Sequence, residues 1–208
     1  MNQKNTFDLN ICFGDFNNPI DLFNEWFNEA KKTENNDPNA FALATANKKG
    51  IPSVRMVLLK NYNEKGFTFY TNLESRKSKD INDNAFGSIC FHWKSLLRQI
   101  RITGSLSKVS DKEADEYFIS RSYGSRIGAW ASKQSTILNN RDELYKSIES
   151  YKKKYPSEIS VPRPKHWSGW NLNPYEIEFW LDGENRIHER LFYSKKSDGS
   201  WEKFLLSP

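Results

Sequence analysis

The sequence is poor in residues that cross-link a chain or hold a metal. Its two cysteines, Cys12 and Cys90, cannot build a disulfide framework, and its three histidines show no metal-ligand spacing. No apolar run approaches the roughly 18–20 residues of a membrane span. The first twenty residues, with Asp8 and Asp15, do not resemble a secretory signal. We therefore expect a cytoplasmic globular protein with neither a metal site nor a membrane partner.

An excess of one charge is also missing. The 31 Lys and Arg residues and 26 Asp and Glu residues leave a net charge of only +5, whereas a nucleic-acid-binding domain usually concentrates its charge in a stripe. Aromatic residues are abundant instead, at 14% of the chain with 7 Trp. We expect no nucleic-acid partner, and this composition fits a flat anionic ligand better.

The length favours one large domain. Residues 1–17 are polar and aperiodic, so we expect a flexible N-terminal tail followed by a single domain over residues 18–208. Helix signals are an Asn18-Pro19 start, a charged segment at 74–83, a capping box at 110–113 and stretches at 126–133 and 141–154. Short apolar or alternating segments predict strands at 41–46, 53–60, 67–71, 86–93, 97–109, 175–181, 186–194 and 201–206.

The spacing of these strands predicts a mainly β, α+β fold. Asp182-Gly183 and Asp198-Gly199 are dipeptides that hairpin turns prefer. Many short strands joined in this way favour an antiparallel barrel with helices packed outside it. We expect both faces of the strand at 53–60 to be covered, because apolar residues occupy both of its alternating positions.

Two clusters place cations at strand ends. Arg55 and Lys60 flank an apolar strand, where they either reach solvent or meet an anionic ligand, because burying an unpaired charge is costly. Tyr70-Thr71 ends the next strand and Ser75-Arg76-Lys77 begins a helix. Helix-start N–H groups beside Arg and Lys attract phosphate, although a solvated basic helix end is the alternative.

Two further clusters lie later in the chain. Gln134 and Ser135 follow a helix of small residues, where they could bond the ring heteroatoms of a ligand or simply end the helix. Arg186, His188 and Arg190 alternate in a strand-like segment, so all three should project from one face. They would repel one another unless an anion or carboxylates satisfied them, and a solvent-exposed basic face is the alternative.

Several catalytic patterns are absent from the sequence. It contains no G-x-S-x-G elbow and no grouping typical of zinc deaminases or hydrolases. The G-x-G-x-x-G dinucleotide signature is missing as well. If the protein uses a redox cofactor, we therefore expect it to bind on something other than a Rossmann fold.

Five segments together resemble one enzyme family in their order and approximate spacing. They are Arg55-Met-Val-Leu-Leu-Lys60, Phe69-Tyr-Thr-Asn72 with Ser75-Arg-Lys77, Arg98-Gln99, Ile127-Gly-Ala-Trp-Ala-Ser132 with Gln134-Ser135, and Glu178-Phe-Trp180 with Arg186-Ile-His188-Glu-Arg190. From about residue 19 onward, the chain resembles the pyridoxamine 5′-phosphate oxidases. The resemblance implies a Greek-key split β-barrel of the FMN-binding type and a homodimer with FMN at the subunit interface. It also implies oxidation of pyridoxamine or pyridoxine 5′-phosphate to pyridoxal 5′-phosphate, with oxygen reduced to hydrogen peroxide.

The resemblance further implies which residues form the site. The implied FMN contacts are Arg55, Met56, Val57, Leu58, Leu59, Lys60, Tyr70, Thr71, Arg76, Lys77, Gln99, Gln134, Ser135, Trp180 and Arg190. The implied substrate contacts are Lys60, Tyr117, Arg121, Ser125, Arg186 and His188. Arg186 and His188 are the expected catalytic residues, over the reacting carbon and the ring hydroxyl. Arg121 and Lys60 can hold the substrate phosphate as charge-assisted donors.

Three features depart from the family pattern. Leu205 stands where arginine is usual, the stretch Ser122–Arg126 varies around substrate positions, and the N-terminal tail lacks a segment that covers the site in some relatives. None of these removes a cofactor or phosphate clamp. Two alternatives stay open: another flavin oxidoreductase on the same barrel, and a carrier that binds FMN or pyridoxal phosphate without turnover.

Overall fold

The computed structural model describes residues 6–208, in which nine strands form one sheet with five α-helices around it. The strands are β1 (Ala40–Ala46), β2 (Pro52–Leu58), β3 (Asn61–Asn63), β4 (Gly66–Asn72), β5 (Phe86–Trp93), β6 (Arg98–Lys108), β7 (Trp167–Leu181), β8 (Glu189–Lys195) and β9 (Trp201–Leu205). The helices are α1 (Pro19–Thr33), α2 (Arg76–Asp83), α3 (Asp111–Ser120), α4 (Tyr123–Ala131) and α5 (Arg141–Lys154).

The sheet is antiparallel throughout and divides at its longest strand. Its main path runs β2-β1-β5-β6-β7-β4-β3. One edge of β7 pairs with β6, while the other edge pairs first with β4 and then, further along, with β8. The sheet therefore has a β4–β3 branch and a β8–β9 branch. This arrangement confirms the expected fold class, an antiparallel split barrel with peripheral helices.

The core is aromatic and lies between the sheet and α1. Phe23 on α1 is fully buried, and its ring centroid lies 4.9 Å from that of Phe67 and 5.3 Å from that of Phe91. Asn18 caps α1 as predicted, since its side chain accepts a hydrogen bond from the Ile20 N–H at 3.0 Å. Much of the aromatic excess in the sequence therefore builds the core, where large rings bury the most apolar area.

Part of the expected flexible tail is packed against this core. A 3₁₀ helix at Ile11–Phe13 places the Phe13 ring at 0% exposure, with its centroid 5.3 Å from that of Trp26. The expectation is wrong for this stretch because burying a large ring offsets the entropy lost on ordering a short segment. The same expectation for residues 1–5 lies outside the described residues.

One face of β2 is uncovered in the single chain, contrary to the expectation that both faces would be covered. Val54 is 70% exposed and Met56 is 64% exposed. The exposure of these side chains shows that no element among residues 6–208 covers this face, which is left to solvent or to a second subunit. Apolar side chains grouped on an open face are typical of an interaction surface.

β7 begins at Trp167, well before the predicted start at Tyr175. Pro174 favoured a break in the pattern, because proline cannot donate to a sheet ladder. The strand accommodates it where the register with β6 shifts between Thr103 and Gly104. The extra half of β7 matters because it is the part that pairs with β4.

The link from β7 to β8 also differs from the prediction. Asp182-Gly183 does not form a two-residue hairpin, since a 3₁₀ turn follows at Glu184–Arg186 and β8 begins only at Glu189. Arg186 has a φ of 63°, in the left-handed region. The expected strand alternation of Arg186, His188 and Arg190 therefore fails, because only Arg190 lies in a strand.

The predicted helices fit more closely. Ser110 caps α3 and accepts from the Glu113 N–H at 3.2 Å, and α5 has the predicted bounds. No helix among residues 6–208 is both long enough and apolar enough to cross a membrane.

Candidate active site

A cleft of about 1060 Å³ opens among β2, β4, the start of α2 and the α3–α4 region. This volume suits a small-molecule or cofactor site. The predicted site residues that line it are Arg55, Met56, Val57, Leu58, Lys60, Tyr70, Thr71, Arg76, Lys77, Tyr117, Arg121, Ser125, Gln134 and Ser135. The structure thus gathers into one cleft residues that are spread over some eighty positions of the sequence.

Three cations form one corner of the cleft, which we term the cationic corner: Arg55 on β2, and Arg76 and Lys77 at the start of α2. Burial lowers the pKa of Arg55, and the neighbouring Arg76 lowers it further. The positive N-terminal end of α2 lies at the same corner. Like charges therefore accumulate here rather than being spread over the surface.

Lys77 is the most informative member of the cationic corner. It is only 8% exposed, and its ammonium donates to Thr71 Oγ1 at 3.0 Å, Gln134 Oε1 at 3.0 Å and Ser75 Oγ at 3.2 Å. Burial lowers the pKa of Lys77 to about 8, and the charge on Arg55 acts in the same direction. Because buried ammonium groups are normally paired with an anion, a buried ammonium among uncharged acceptors indicates an anion-binding position.

Stacked aromatic rings form another wall of the cleft. The Tyr70 ring lies 4.0 Å from that of Tyr117 and 5.4 Å from that of Trp167, with all three planes nearly parallel. Gly169, opposite Tyr70 in the β4–β7 ladder, makes room for this stack, because a Cβ there would lie 2.8 Å from the Tyr70 ring. The stack fixes Tyr117 on α3 against the sheet.

Arg121 is a further cation of the cleft, and one of its donor groups is unpaired within the described residues. Its guanidinium lies 4.8 Å from the centroid of the Trp167 ring, and burial lowers its pKa. Its Nη1 is buried and has no hydrogen-bond partner within residues 6–208. Buried donors are rarely left unpaired in native proteins unless a ligand or water satisfies them.

The other predicted residues lie outside the lining of this cleft. Gln99 on β6 pairs with Trp180 on β7, and Trp180 pairs with Arg190 on β8, so the three form one row across the sheet. The His188 ring lies 4.6 Å from the Trp180 ring, and Arg186 is exposed on the turn before it. We call these five residues the C-terminal row.

Arg190 is already neutralised by a buried carboxylate. Glu178 is 4% exposed, its Oε1 accepts from Arg190 Nε at 2.8 Å, and its Oε2 accepts from Arg101 Nε at 3.1 Å. Burial alone would raise the pKa of Glu178, but the hydrogen bonds from Arg190 and Arg101 outweigh it and lower the pKa. We call these three residues the Glu178 cluster. It supplies a carboxylate of the kind that the crowded basic segment was expected to need.

The predicted site residues therefore fall into two groups, the cleft and the C-terminal row, with one exception. The Leu59 side chain, which directly follows the end of β2, is 4% exposed and packs in the core. It does not line the cleft, and the cofactor contact implied for Leu59 stays a prediction. Among residues 6–208, no three His, Cys, Asp or Glu side chains are grouped as a metal site requires.

Some residues of the cleft were missed from the sequence. Asn72 follows Tyr70-Thr71 directly and donates to the Ser132 carbonyl at 3.2 Å, which ties β4 to the end of α4. The available sequence signal was that Asn72 is the last residue of the segment Phe69-Tyr-Thr-Asn72. No sequence signal pointed to Trp167, because it lies on the half of β7 that was not predicted from the sequence.

Comparison with protein families gives two matches that together cover most of the chain. A family model described as pyridoxamine 5′-phosphate oxidase matches residues 27–155. A second, described as the pyridoxine 5′-phosphate oxidase C-terminal dimerisation region, matches residues 167–208. The first match contains most of the cleft, and the second contains most of the C-terminal row.

Individual relatives agree with these matches. The chain is 66% identical over 208 residues to the pyridoxine/pyridoxamine 5′-phosphate oxidase of Pelagibacter ubique (strain HTCC1062), covering 100% of both chains. It is 49% identical over 196 residues to the protein of the same name from Chelativorans sp. (strain BNC1), covering 94% of this chain and 93% of the relative.

Two solved structures share the architecture. PhzG from Burkholderia lata 383, in complex with tetrahydrophenazine-1-carboxylic acid, has a TM-score of 0.87 and 28% identity, covering 95% of this chain and 96% of its own. A pyridoxamine 5′-phosphate oxidase-related, FMN-binding protein from Nostoc punctiforme PCC 73102 has a TM-score of 0.66 and 16% identity, covering 82% and 88%. The second similarity concerns the fold alone.

Proposed function

The chain belongs to the pyridoxamine 5′-phosphate oxidase family, and we propose that the cleft described above is where it carries out the family's reaction. It is an FMN-dependent enzyme that oxidises pyridoxamine or pyridoxine 5′-phosphate to pyridoxal 5′-phosphate. The observation that carries the placement of the site is Lys77, a buried ammonium that meets only uncharged acceptors within the described residues.

The cationic corner fits the phosphate of FMN. Arg55, Arg76 and Lys77 would hold it as charge-assisted donors, which are stronger than neutral hydrogen bonds. Gln134 accepts from Lys77 at 3.0 Å. Ser135 lines the same cleft and has a φ of 69°, an uncommon backbone conformation that is frequent at ligand-binding sites. We propose these five residues as the main part of the FMN site contributed by the cleft.

The second phosphate position fits the substrate. Arg121 has a buried, unpaired Nη1 within the described residues, and Lys60, Tyr117 and Ser125 line the same cleft. A phosphate bound there would satisfy the guanidinium and accept from the two hydroxyls. The two phosphates would then fix the relative orientation of substrate and flavin, which is how positioning accelerates a reaction between two bound molecules.

We propose that the partner subunit completes the site. The chain carries the family's C-terminal dimerisation region, and the exposed apolar face of β2, with Val54, Met56 and Leu58, offers a surface for a second copy. The C-terminal row does not line the cleft of its own chain. In a two-fold symmetric dimer, the row of one subunit can face the cleft of the other, which would place FMN at the interface.

Arg186 and His188 are the proposed catalytic residues. When bound, FMN supplies the redox chemistry by taking up the two electrons lost by the substrate carbon, and oxygen then reoxidises it to give hydrogen peroxide. His188 Nδ1 lies 3.0 Å from Asp182 Oδ1. Donation of the Nδ1 proton to this carboxylate would leave Nε2 unprotonated, so that it can face the substrate and accept a proton. Arg186 would orient the substrate beside it.

The proposal is tested by cofactor content and turnover together. The purified protein should have the visible spectrum of a flavoprotein, and addition of pyridoxine 5′-phosphate in air should yield equal amounts of pyridoxal 5′-phosphate and hydrogen peroxide. A protein that takes up no FMN would overturn the proposal. A yellow protein without product would favour a carrier.

One alternative activity has a specific observation in its favour. The structural similarity to PhzG extends over nearly the whole chain, so the fold alone does not select the substrate. The substrate position narrows the choice to anionic substrates, because an uncharged group there would leave Arg121 Nη1 buried and unpaired, whereas a phosphate or a carboxylate would satisfy it. Unphosphorylated pyridoxine should therefore be a far poorer substrate than its 5′-phosphate.

Two further expectations remain proposals. We propose that residues 18–208 act as one domain, since β7 from the C-terminal match pairs with β4 and β6 from the N-terminal match. We also propose a cytoplasmic location, on the basis of the composition.

A further inference from the structure

Behind the cationic corner lies a buried carboxylate that does not itself line the cleft. Asp80 on α2 is 6% exposed, and its Oδ2 accepts from Thr45 Oγ1 at 2.8 Å and from Ser53 Oγ at 2.7 Å. The same oxygen lies 3.8 Å from Arg55 Nη2. Asp80 therefore has two bonded hydroxyls and one cation as neighbours.

The hydroxyls of Thr45 and Ser53 form a bridge of hydrogen bonds from Arg55 to Asp80, and every bond in it points toward the carboxylate. A hydroxyl has a single proton to donate, and those of Thr45 and Ser53 are both directed to Asp80. Their lone pairs are then free to accept from Arg55, whose Nη1 donates to Thr45 Oγ1 at 2.7 Å and whose Nη2 donates to Ser53 Oγ. Arg55 Nη1 also donates to the Leu43 carbonyl at 3.1 Å.

The strand register supports this bridge. Thr45 on β1 and Ser53 on β2 are directly opposite each other in the antiparallel ladder, so their hydroxyls reach the same side of the sheet. Arg55 is two residues beyond Ser53 on that side, and Asp80 descends from α2. Three elements thus converge on one guanidinium, which fixes its orientation.

The negative charge of Asp80 offsets the repulsion between Arg55 and Arg76. Arg55 is half-buried near Arg76, and its partial burial and this neighbouring charge both lower its pKa, whereas Asp80 raises it. Arg76 lies one helical turn before Asp80 on α2, so the carboxylate also joins the helix that carries two of the cations to the strand that carries the third. A buried counter-charge lets these cations stay close together before any phosphate is bound.

We propose that Asp80 is a positioning residue for the FMN phosphate: through the hydroxyls of Thr45 and Ser53 it holds Arg55, and with it the cationic corner, in the arrangement that receives the phosphate. This inference rests on the proposed placement of FMN in the cleft. It adds to that placement a residue that touches neither FMN nor substrate.

The test is a double-mutant cycle in which FMN binding to the FMN-free protein is measured. Asp80→Asn keeps the size of the side chain and removes its charge, and we expect it to weaken FMN binding about 10-fold, the scale of a hydrogen bond to a charged group. Arg55→Met should weaken binding at least as much. In the Arg55→Met background, Asp80→Asn should have almost no further effect, because its contribution acts through Arg55. Asp83→Asn, an exposed change on the same helix, is the matched control.

A purely structural role for Asp80 gives a different result. Loss of helix packing would weaken FMN binding by the same factor in both backgrounds, and that additivity would overturn the inference, as would unchanged FMN binding by Asp80→Asn. If Asp80→Asn does not fold, Ser53→Ala breaks one arm of the bridge and should show the same dependence on Arg55 with a smaller loss. A wild-type protein that binds no FMN would instead overturn the proposed function, and this inference with it.

Discussion

The cationic corner and the Glu178 cluster are two basic regions of one sheet, and they differ in what their cations meet. Lys77 is buried among three uncharged oxygens, whereas Arg190 and Arg101 share the buried carboxylate of Glu178. Lys77 thus has no carboxylate partner within the described residues, whereas both arginines of the Glu178 cluster contact one. A buried cation without a carboxylate partner, such as Lys77, is therefore a better indicator of an anion-binding position than basic charge alone.

The cleft and the C-terminal row are the two halves of the proposed site, and they lie on separate surfaces of one chain. Arg121→Ala alters the cleft, and Arg186→Ala alters the C-terminal row. Each homodimer should lose about 100-fold or more in kcat/KM, because each change removes one partner of a charged contact to the substrate. FMN retention should change far less for either variant.

Mixing the two variants tests whether the halves come from different subunits. After unfolding and refolding together, about half of the dimers should be mixed, each with one intact site, so activity should return to about a quarter of wild type. Refolding each variant alone is the control. Mixed dimers that stay inactive would show that both residues serve the site of their own chain.

The next largest effect is expected at Lys77. Lys77→Met should raise the Kd for FMN about 100-fold, as for truncation of one partner of a buried charge pair. It should leave the thermal stability of the stripped protein unchanged or raised, because it removes a buried ammonium that has only neutral acceptors. Lys79→Met, exposed on the same helix, is the control for both measurements. A stripped Lys77→Met protein that is much less stable would show that Lys77 is a structural cation.

The pH dependence of FMN binding should reflect the same group. Burial lowers the pKa of Lys77 to about 8 in the unliganded chain, and a bound phosphate favours the charged form, so binding raises this pKa. Affinity should be constant below pH 8 and should fall above it, approaching roughly tenfold per pH unit. The phosphate itself stays doubly negative over this range, since its second pKa is about 6. In Lys77→Arg, which stays charged, the decline above pH 8 should disappear.

A substitution of Glu178 should have the smallest effect on FMN binding, but it should have a larger effect on stability. Glu178→Gln should lower the free energy of unfolding by about 3 kcal/mol, because it leaves two arginines beside an uncharged group. Glu176→Gln on the same strand should have little effect. Urea unfolding of the FMN-free proteins measures the stability of both variants. An unchanged stability in Glu178→Gln would contradict a stabilising role for the Glu178 cluster.

Acid titration gives a further check on Glu178. Its pKa is lowered in the folded chain from an ordinary value of about 4.5, so its stabilising contribution is present above that value and is lost as the pH falls through the folded pKa. Wild type should therefore lose more stability than Glu178→Gln on acidification below about pH 4.5.

Local signals predicted the helices and the cleft better than the C-terminal strands. The caps at Asn18 and Ser110 are local hydrogen bonds, and both occur as the sequence indicated. The early start of β7 depends on β4 and β6 as partners, which a local pattern does not reveal. The left-handed backbone conformation of Arg186 could not be predicted either, because strand periodicity indicates only which face a side chain occupies.

The site shows the same division. Lys77 and Gln134 were singled out from separate motifs, and the fold brings them within 3.0 Å. Asp80 was missed because a lone aspartate in a charged helix carries no signal until its strand partners are known. The open face of β2 was misjudged because an apolar strand pattern does not reveal whether another element of the same chain packs over it.

The double pairing of β7 has a consequence for the order in which the protein can fold. Thr68 on β4 is hydrogen-bonded to Asn171 on β7, which is 103 residues later in the chain. During synthesis at about 5–20 residues per second, β4 leaves the ribosome roughly 5–20 s before this partner exists. Throughout that time its apolar edge is open, and unpaired strand edges invite association with other chains. We therefore expect β4 to remain open to association with other chains until residues 167–172 of β7 have been made.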